Sequence, residues 1–292
     1  MMDTDLRRTL SDELHARAFH DFSGAGRFVR FVFLTQGRSG ILLDYVNAFL
    51  AKNGRDAIDE DSKFARIEMD GYALRFERHT EFLSISFVEK GHALKTGLLA
   101  DAFDQDAVTL PLEWARRAPV ELFHAIWLEI GGKPPARLSE TKMLAIMESR
   151  AVAANKFSEG AGEVHFAFDV DKSGFSRVVL FNSSITANRL GRAVQRIVEL
   201  ETYRLLAMLG FAAAREHAAK LGQIEKLVGG LTNELADQIK QPDSQIENML
   251  TTLSSQAADL EDIYSKTSYR MAATKLMRIF CRTGLKDCAL AG

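Results

Sequence analysis

The stretch that decides the fold is LGRAVQRIVELETYRLLAMLGF, residues 190–211. Its apolar residues recur in steps of three and four, the spacing of a helix that buries one face. One charged residue, Glu201, shares that heptad-like seam with five aliphatic or thioether side chains: Leu190, Val194, Ile197, Leu205 and Met208. No proline interrupts the pattern between residues 186 and 240. The sequence therefore predicts one long helix over this range.

A second long helix is predicted beyond this one. Pro242 and Asp243 indicate a turn, and the helical spacing resumes in SQIENMLTTLSSQAADLEDIYSKTSYRMAATKLMRIF, residues 244–280. A helical pair of this length has too little core to be stable alone. We therefore expect residues 185–292 to form an antiparallel helical hairpin that packs on a neighbour or self-associates. The expected partner is a second copy of the chain, in a homo-oligomer formed through the long helices.

The residues that precede the hairpin predict a sheet. GRFVRFVFLTQG (26–37) is typical of a buried strand, SGILLDYVNAFLAKNG (39–54) of a helix, and three alternating runs between residues 63 and 90 of an antiparallel meander. The same order recurs between residues 121 and 184. The expected fold class is α+β: a mixed or antiparallel sheet domain of two strand–helix–three-strand units over residues 1–184, followed by the hairpin.

Composition excludes several classes of protein. The net charge is -2, with 37 basic and 39 acidic residues, so the basic surplus of a nucleic-acid-binding protein is missing. The two cysteines, Cys281 and Cys288, fit neither a disulfide framework nor a zinc or redox motif. The start, MMDTDLRRTL, lacks the apolar run of a secretion signal. These features predict a cytoplasmic location.

Three stretches carry a family resemblance: LSDELHARAF (10–19), LPLEWARRAP (110–119) and, most specifically, GRAVQRIVELETYR (191–204). They resemble the bacterial DUF3422 family of uncharacterised, membrane-anchored proteins. The resemblance implies further helix, two C-terminal membrane segments and an inner-membrane location for the full-length family. CRTGLKDCALAG (281–292) departs from that pattern, so we expect the chain to be truncated before the anchor. The implied layout is also that of CorA-type divalent-cation channels.

Two groups of polar residues are candidate sites. Glu13 and Arg17 are four residues apart, the spacing of a surface ion pair on a helix. In the alternative interpretation, Arg17 or His15 contacts a ligand or a partner chain. His15 lies off the helix face that Glu13 and Arg17 share. The second group is a polar stripe beside the apolar seam of the long helix, and it consists of Arg192, Arg196, Glu199 and Tyr203.

The stripe has two interpretations. Its charged residues can join the helix to the sheet through salt bridges, or Arg192 and Arg196 can form an anion site or a subunit contact. A carboxylate on the apolar seam needs a partner if it is buried. Arg204, three residues further along, is within reach of Glu201, so we expect these two residues to form a buried structural ion pair.

No metal or cofactor site is predicted. DVDKSG (169–174) imitates the start of a calcium loop, but Leu180 stands where the loop needs a glutamate. Glu121 and His124 are three apart on a predicted strand, so they face opposite sides of the sheet. The chain contains none of the common catalytic motifs, such as a nucleophile elbow, a Walker loop or a His-Glu-x-x-His sequence.

The favoured function is that of a non-enzymatic, cytosolic sensory or assembly domain of a membrane-anchored protein. Two alternatives remain open at this point. The chain could be a soluble enzyme or small-anion-binding protein that uses the arginine and histidine residues named above, or a helical scaffold without a ligand site.

Overall fold

The structure is a computed structural model that describes residues 22, 24–35, 37–79, 81–90, 102–136, 138–237 and 243–290. These residues divide into two compact units. The first extends to Thr202 and includes the described residues from Leu285 onwards, and the second is Tyr203–Gly284. The boundary therefore lies within a long helix, and the predicted domains of residues 1–184 and 185–292 stay predictions.

The first unit is built on one eight-stranded sheet. Its strands are β1 (Gly26–Leu34), β2 (Phe64–Glu68), β3 (Tyr72–Arg78), β4 (Phe82–Lys90), β5 (Leu122–Gly131), β6 (Val152–Phe157), β7 (Gly162–Val170) and β8 (Ser176–Asn182). Their order across the sheet is β2-β3-β4-β1-β5-β8-β7-β6. All neighbours are antiparallel except β5 and β8, which are parallel. The prediction of a mixed α+β fold is confirmed.

Three short helices cover one face of this sheet: α1 (Ser39–Lys52), α2 (Leu112–Arg116) and α3 (Glu140–Met147). Along the chain, β1, α1 and three strands are followed by α2, then by β5, α3 and three more strands. The two sets differ in direction, because β1 is antiparallel to its neighbour β4 whereas β5 is parallel to β8. Element order alone does not establish the two strand–helix–three-strand units, which stay a prediction.

The opposite face of the sheet is covered by the start of α4 (Ala187–Asp237). Leu190, Val194 and Ile197 are buried there against apolar residues of the strands, such as Leu128 and Val178. The prediction of one long helix is confirmed, and the first half of its seam is buried. The far end of the seam is not, because Met208 is 49% exposed.

The second unit contains the rest of α4 and most of α5 (Asp243–Leu290). Its buried apolar residues include Ile224 on α4 and Met249 and Ile263 on α5. Two polar contacts join the helices: Lys220 Nζ lies 2.8 Å from Asp259 Oδ1, and Thr274 Oγ1 donates to the Ala207 carbonyl at 3.3 Å. The second predicted helix is therefore present, and its antiparallel hairpin arrangement stays a prediction.

Candidate functional site

A cluster of polar side chains lies on the sheet face that α4 covers. Strand register creates it: Arg30 is opposite Ser86, Ser86 is opposite Arg75, and the next row brings Glu77 opposite Ser84. Because alternate residues of a strand share a face, all five side chains project to the same side. We call the following residues the polar cluster: Arg30, Arg75, Glu77, Ser84, Ser86 and His124 on the sheet, and Glu201 on α4.

Glu77 lies at the centre of an ion network within the polar cluster. Its carboxylate accepts a hydrogen bond from Arg75 at 2.7 Å and one from Arg30 at 3.0 Å, while Arg30 Nε also donates to Ser86 Oγ at 3.1 Å. The Arg30, Arg75 and Glu77 side chains are each at most 5% exposed. One carboxylate therefore joins two arginines in a region from which water is excluded.

Burial and pairing act in opposite directions on the ionisation of this network. Burial by itself would raise the pKa of Glu77, but Arg30, His79 and Arg75 outweigh it and hold that pKa well below its usual range. Burial lowers the pKa of Arg75, and the negative charge of Glu77 partly offsets this effect. The network is consequently stable only while Glu77 is ionised.

Aromatic rings supply further contacts to the two arginines. The Arg30 and Arg75 guanidinium carbons lie 5.6 and 6.0 Å from the centroid of the Phe28 ring, and Arg75 lies 5.1 Å from that of Phe64. Such contacts are worth about 0.5–2 kcal/mol each, with the larger values where water is excluded. They hold the guanidinium groups over the sheet.

One acidic residue of α4, Glu201, faces the sheet part of the polar cluster. Glu201 is 1% exposed, and its Oε1 lies 3.9 Å from Nε2 of His124. The charge of Glu199, two residues earlier, acts on Arg75. Within the described residues, Arg75 Nε and the Ser84 hydroxyl have no hydrogen-bond partner. The turn of α4 around Glu201 therefore meets charged and polar groups on the sheet in addition to burying Val198, whereas the turns before it bury apolar residues.

The family of the chain follows from its match to one family model. That model is described as "Protein of unknown function (DUF3422)" and matches residues 2–277. The chain belongs to the DUF3422 family. Searches among curated proteins and solved structures find no match. Across the described part of this DUF3422 chain, no helix is both long and apolar enough to cross a membrane.

The structure places the predicted site residues of the DUF3422 chain in different surroundings. Arg192 and Arg196 are exposed, and Arg192 Nε donates to Asn188 Oδ1 at 3.1 Å, one turn earlier on the same helix. Glu199 is half-buried and accepts a hydrogen bond from Gln195 at 2.9 Å. The predicted N-terminal residues lie outside the described part of the chain: Glu13, His15 and Arg17.

The predicted partner of Glu201 is Arg204. In the structure the Glu201 side chain is buried, and the sheet residue beside it is His124. Tyr203 and Arg204 are half-buried and belong to the second unit. The Glu201–Arg204 ion pair stays a prediction, as do the roles proposed for Tyr203 and the two arginines of the stripe.

A second buried ion pair lies on the other face of the sheet. Arg27 Nε donates to Glu129 Oε1 at 2.5 Å, and the Trp127 indole donates to the same oxygen at 2.8 Å. Burial raises the pKa of Glu129, although Arg27 opposes the change. A third charged group, Glu89, lies 3.3 Å from Arg27. These residues join β1, β4 and β5 below the three short helices.

Neither ion network of this DUF3422 domain has the composition of a metal site. Among the described residues, no group of three or more histidine, cysteine, aspartate or glutamate side chains is placed to hold a metal ion. In the polar cluster, arginine supplies most of the charged donors, and arginine is a ligand for carboxylates and phosphates. The arrangement can hold charge and fix a helix.

Proposed function

We propose that this domain is a non-enzymatic sensory and assembly domain, in which the polar cluster holds the last docked turn of α4 on the sheet. One observation carries the proposal: Glu201 is buried beside His124, on the sheet face that also holds the Arg30–Glu77–Arg75 network. The output of such a domain is whether that turn of α4 is docked or released.

The division of α4 into apolar and polar contacts supports this function. Leu190, Val194 and Ile197 dock through apolar burial, which is insensitive to charge. The turn around Glu201 adds charged groups to the apolar burial of Val198, and interactions between charges respond to nearby ions. A signal that alters this charge can release the turn and leave the preceding turns of α4 in place.

Three further features belong to the proposal. The resemblance to membrane-anchored proteins supports a position beside the inner membrane, with the CorA-type layout as its closest analogy. The paired positions 207 with 274 and 220 with 259 run in opposite directions along the chain, which supports an antiparallel hairpin of α4 and α5. The recurrence of strand, helix and three strands supports two similar units in the sheet domain.

Amide hydrogen exchange on the full chain tests the docking role. Glu201→Gln removes the charge and retains the shape of the side chain, so amides of residues 198–202 should exchange about fivefold faster, because the carboxylate 3.9 Å from the His124 imidazole becomes a neutral amide. Residues 190–197 should keep their protection. Glu216→Gln, at an exposed site on the same helix, is the matched control. Unchanged exchange at 198–202 in Glu201→Gln would refute the docking role.

The enzymatic alternative has its own test. If the arginine stripe served catalysis or anion binding, Arg192→Ala would abolish phosphoester or acyl-substrate turnover, or binding of inorganic phosphate. The hydrogen bond from Arg192 to Asn188 on an exposed helix face predicts neither effect. Turnover or phosphate binding that is lost in Arg192→Ala would replace the sensory proposal with the enzymatic one.

A further inference from the structure

The helix α5 has two lines of residues in heptad spacing, and the structure buries one of them. The first line includes Met249 and Ile263, which are buried, and Asp259, which pairs with Lys220 of α4. The second line contains five large apolar side chains that are exposed: Ile246 at 46%, Leu250 at 58%, Leu260 at 40%, Tyr264 at 66% and Met271 at 38% exposure. Two further members of this line, Leu253 and Thr267, are half-buried.

The second line is a continuous heptad seam. Between its large residues stand Leu253, Ala257 and Thr267, so that every step from 246 to 271 is three or four residues. We call these eight residues the outer seam. Steps that alternate between three and four keep side chains on one side of a helix that pairs with another helix. The outer seam spans 26 positions, which is about 39 Å of helix.

Other exposed apolar residues of the second unit lack this regularity. The exposed apolar side chains of α4 there are Met208, Phe211, Leu221 and Leu227, at steps of three, ten and six. At 100° per residue, those steps distribute them around the helix. Scattered apolar residues are ordinary on protein surfaces, whereas a contiguous line of them marks an interaction site.

We infer that the outer seam is the interface for a second copy of this chain, packed antiparallel through the same residues. The inference deepens the assembly part of the proposed function and rests on it. With the two-fold axis between residues 258 and 259, the facing layers are Ile246 with Met271, Leu250 with Thr267, Leu253 with Tyr264, and Ala257 with Leu260, each pair formed twice.

The sizes of the facing residues favour this arrangement. Leucine faces a smaller residue in two of the four layers, at Leu250 with Thr267 and at Leu260 with Ala257, and alternation of large and small residues fills a core without voids. A parallel pair in register would place Ala257 against Ala257 and Tyr264 against Tyr264. The first of these layers would leave a void and the second would be overpacked.

Polar groups at the seam are compatible with burial. The Thr267 hydroxyl donates to the Ile263 carbonyl at 2.7 Å, so burial of this side chain leaves no donor unsatisfied. The exposed flank carries Glu247 near one end and Lys275 near the other. Antiparallel packing places these two positions of different copies on the same side of the pair, about 7.5 Å apart along its axis.

A second copy of the chain fits the outer seam better than a lipid surface does. Helices that lie on membranes carry an excess of lysine and arginine on their polar side. Residues 243–275 contain five acidic and three basic residues, the opposite balance. The antiparallel pair places the C-terminal ends of the two α5 helices at opposite ends of the interface, and it forms without any contribution from an anchor.

The mass of the particle in solution tests the pairing. All variants carry Cys281→Ser and Cys288→Ser, which remove the native thiols. The parent should be a dimer, and Leu250→Glu with Leu260→Glu should weaken dimerisation by at least about a hundredfold, since each charge must be desolvated at the seam. Met208→Glu with Phe211→Glu is the matched control on α4 and should remain dimeric. A monomeric parent, or a dimer that survives the two glutamates on the seam, would overturn the inference.

Disulfide trapping tests the direction. Ile246→Cys and Met271→Cys are made in separate chains and mixed under oxidising conditions. Antiparallel packing predicts a mixed disulfide between the two variants, whereas parallel packing predicts each variant bonded to itself and would overturn the register. The exchange experiment on Glu201→Gln, repeated in the monomeric seam variant, reports on docking of α4 independently. A failure of pairing and a failure of docking are thus separate results.

Discussion

Replacement of Glu77 by glutamine should destabilise the sheet unit strongly. Glu77 accepts hydrogen bonds from both Arg30 and Arg75, and all three side chains are at most 5% exposed. Glutamine keeps the shape and one acceptor oxygen, but its amide group is a donor that would face an arginine. Removal of one partner from a buried ion pair costs about 3–5 kcal/mol, because the remaining charge is left in a dry environment.

Urea unfolding followed by tryptophan fluorescence measures this cost. Both tryptophans, Trp114 and Trp127, lie in the first unit, so their emission reports that unit alone. With a denaturant slope of about 2–3 kcal/mol/M, the midpoint should fall by about 1–2.5 M. The control is Glu68→Gln on β2, where Glu68 pairs with Arg66 and its side chain is 67% exposed. That variant should lose about 0–1 kcal/mol. Equal midpoints for the two variants would refute the role of the buried network.

Two further predictions concern acid and packing. The pKa of Glu77 is lower in the folded state than the unfolded value of about 4.3. The ionised Glu77 therefore stabilises the fold fully above that pH, and this stabilisation is lost as the pH falls below it. Urea midpoints between pH 5 and pH 2 should decline more in the parent than in Glu77→Gln. Gly162→Ala should cost about 1–3 kcal/mol in the same assay, because its Cβ would overlap Phe157 and lie 2.6 Å from Ile185. Gly132→Ala, which has open space, should be near neutral. A similar loss in both glycine variants would contradict the packing argument.

Local periodicity predicted the elements because most strands and helices bury at least one face; β2 and β6, at the two edges of the sheet, bury little. Apolar and alternating runs predicted eight strands, and uninterrupted helical spacing predicted α4. The order of strands across the sheet was not predictable in the same way. It depends on which strand pairs with β1 on each side, and pairing between residues about a hundred positions apart leaves no local signal.

The polar cluster was missed for a specific physical reason. In YALRFER, Leu74 and Phe76 alternate with Arg75 and Glu77, a pattern typical of a strand with one face in water. The structure covers that polar face with α4, so the charges are buried. A signal was present on the helix, where Glu201 interrupts an aliphatic seam and requires a buried partner. The sequence suggested Arg204, since a neighbour on the same helix is visible from spacing and His124 on a distant strand is not.

The position of Glu201 also explains why charged groups are retained where apolar ones would bind at least as well. A buried ion pair is often no more stable than hydrophobic residues of similar volume. An aliphatic seam that repeats every three or four residues, however, can dock one turn out of register with little loss of burial. A slip of four residues would carry Leu205 over His124 and bury Glu201 among apolar side chains without a partner, at a cost of several kcal/mol. In the proposed function, the single carboxylate therefore specifies which turn of α4 ends the docked segment, as a lone polar residue fixes register in a coiled coil.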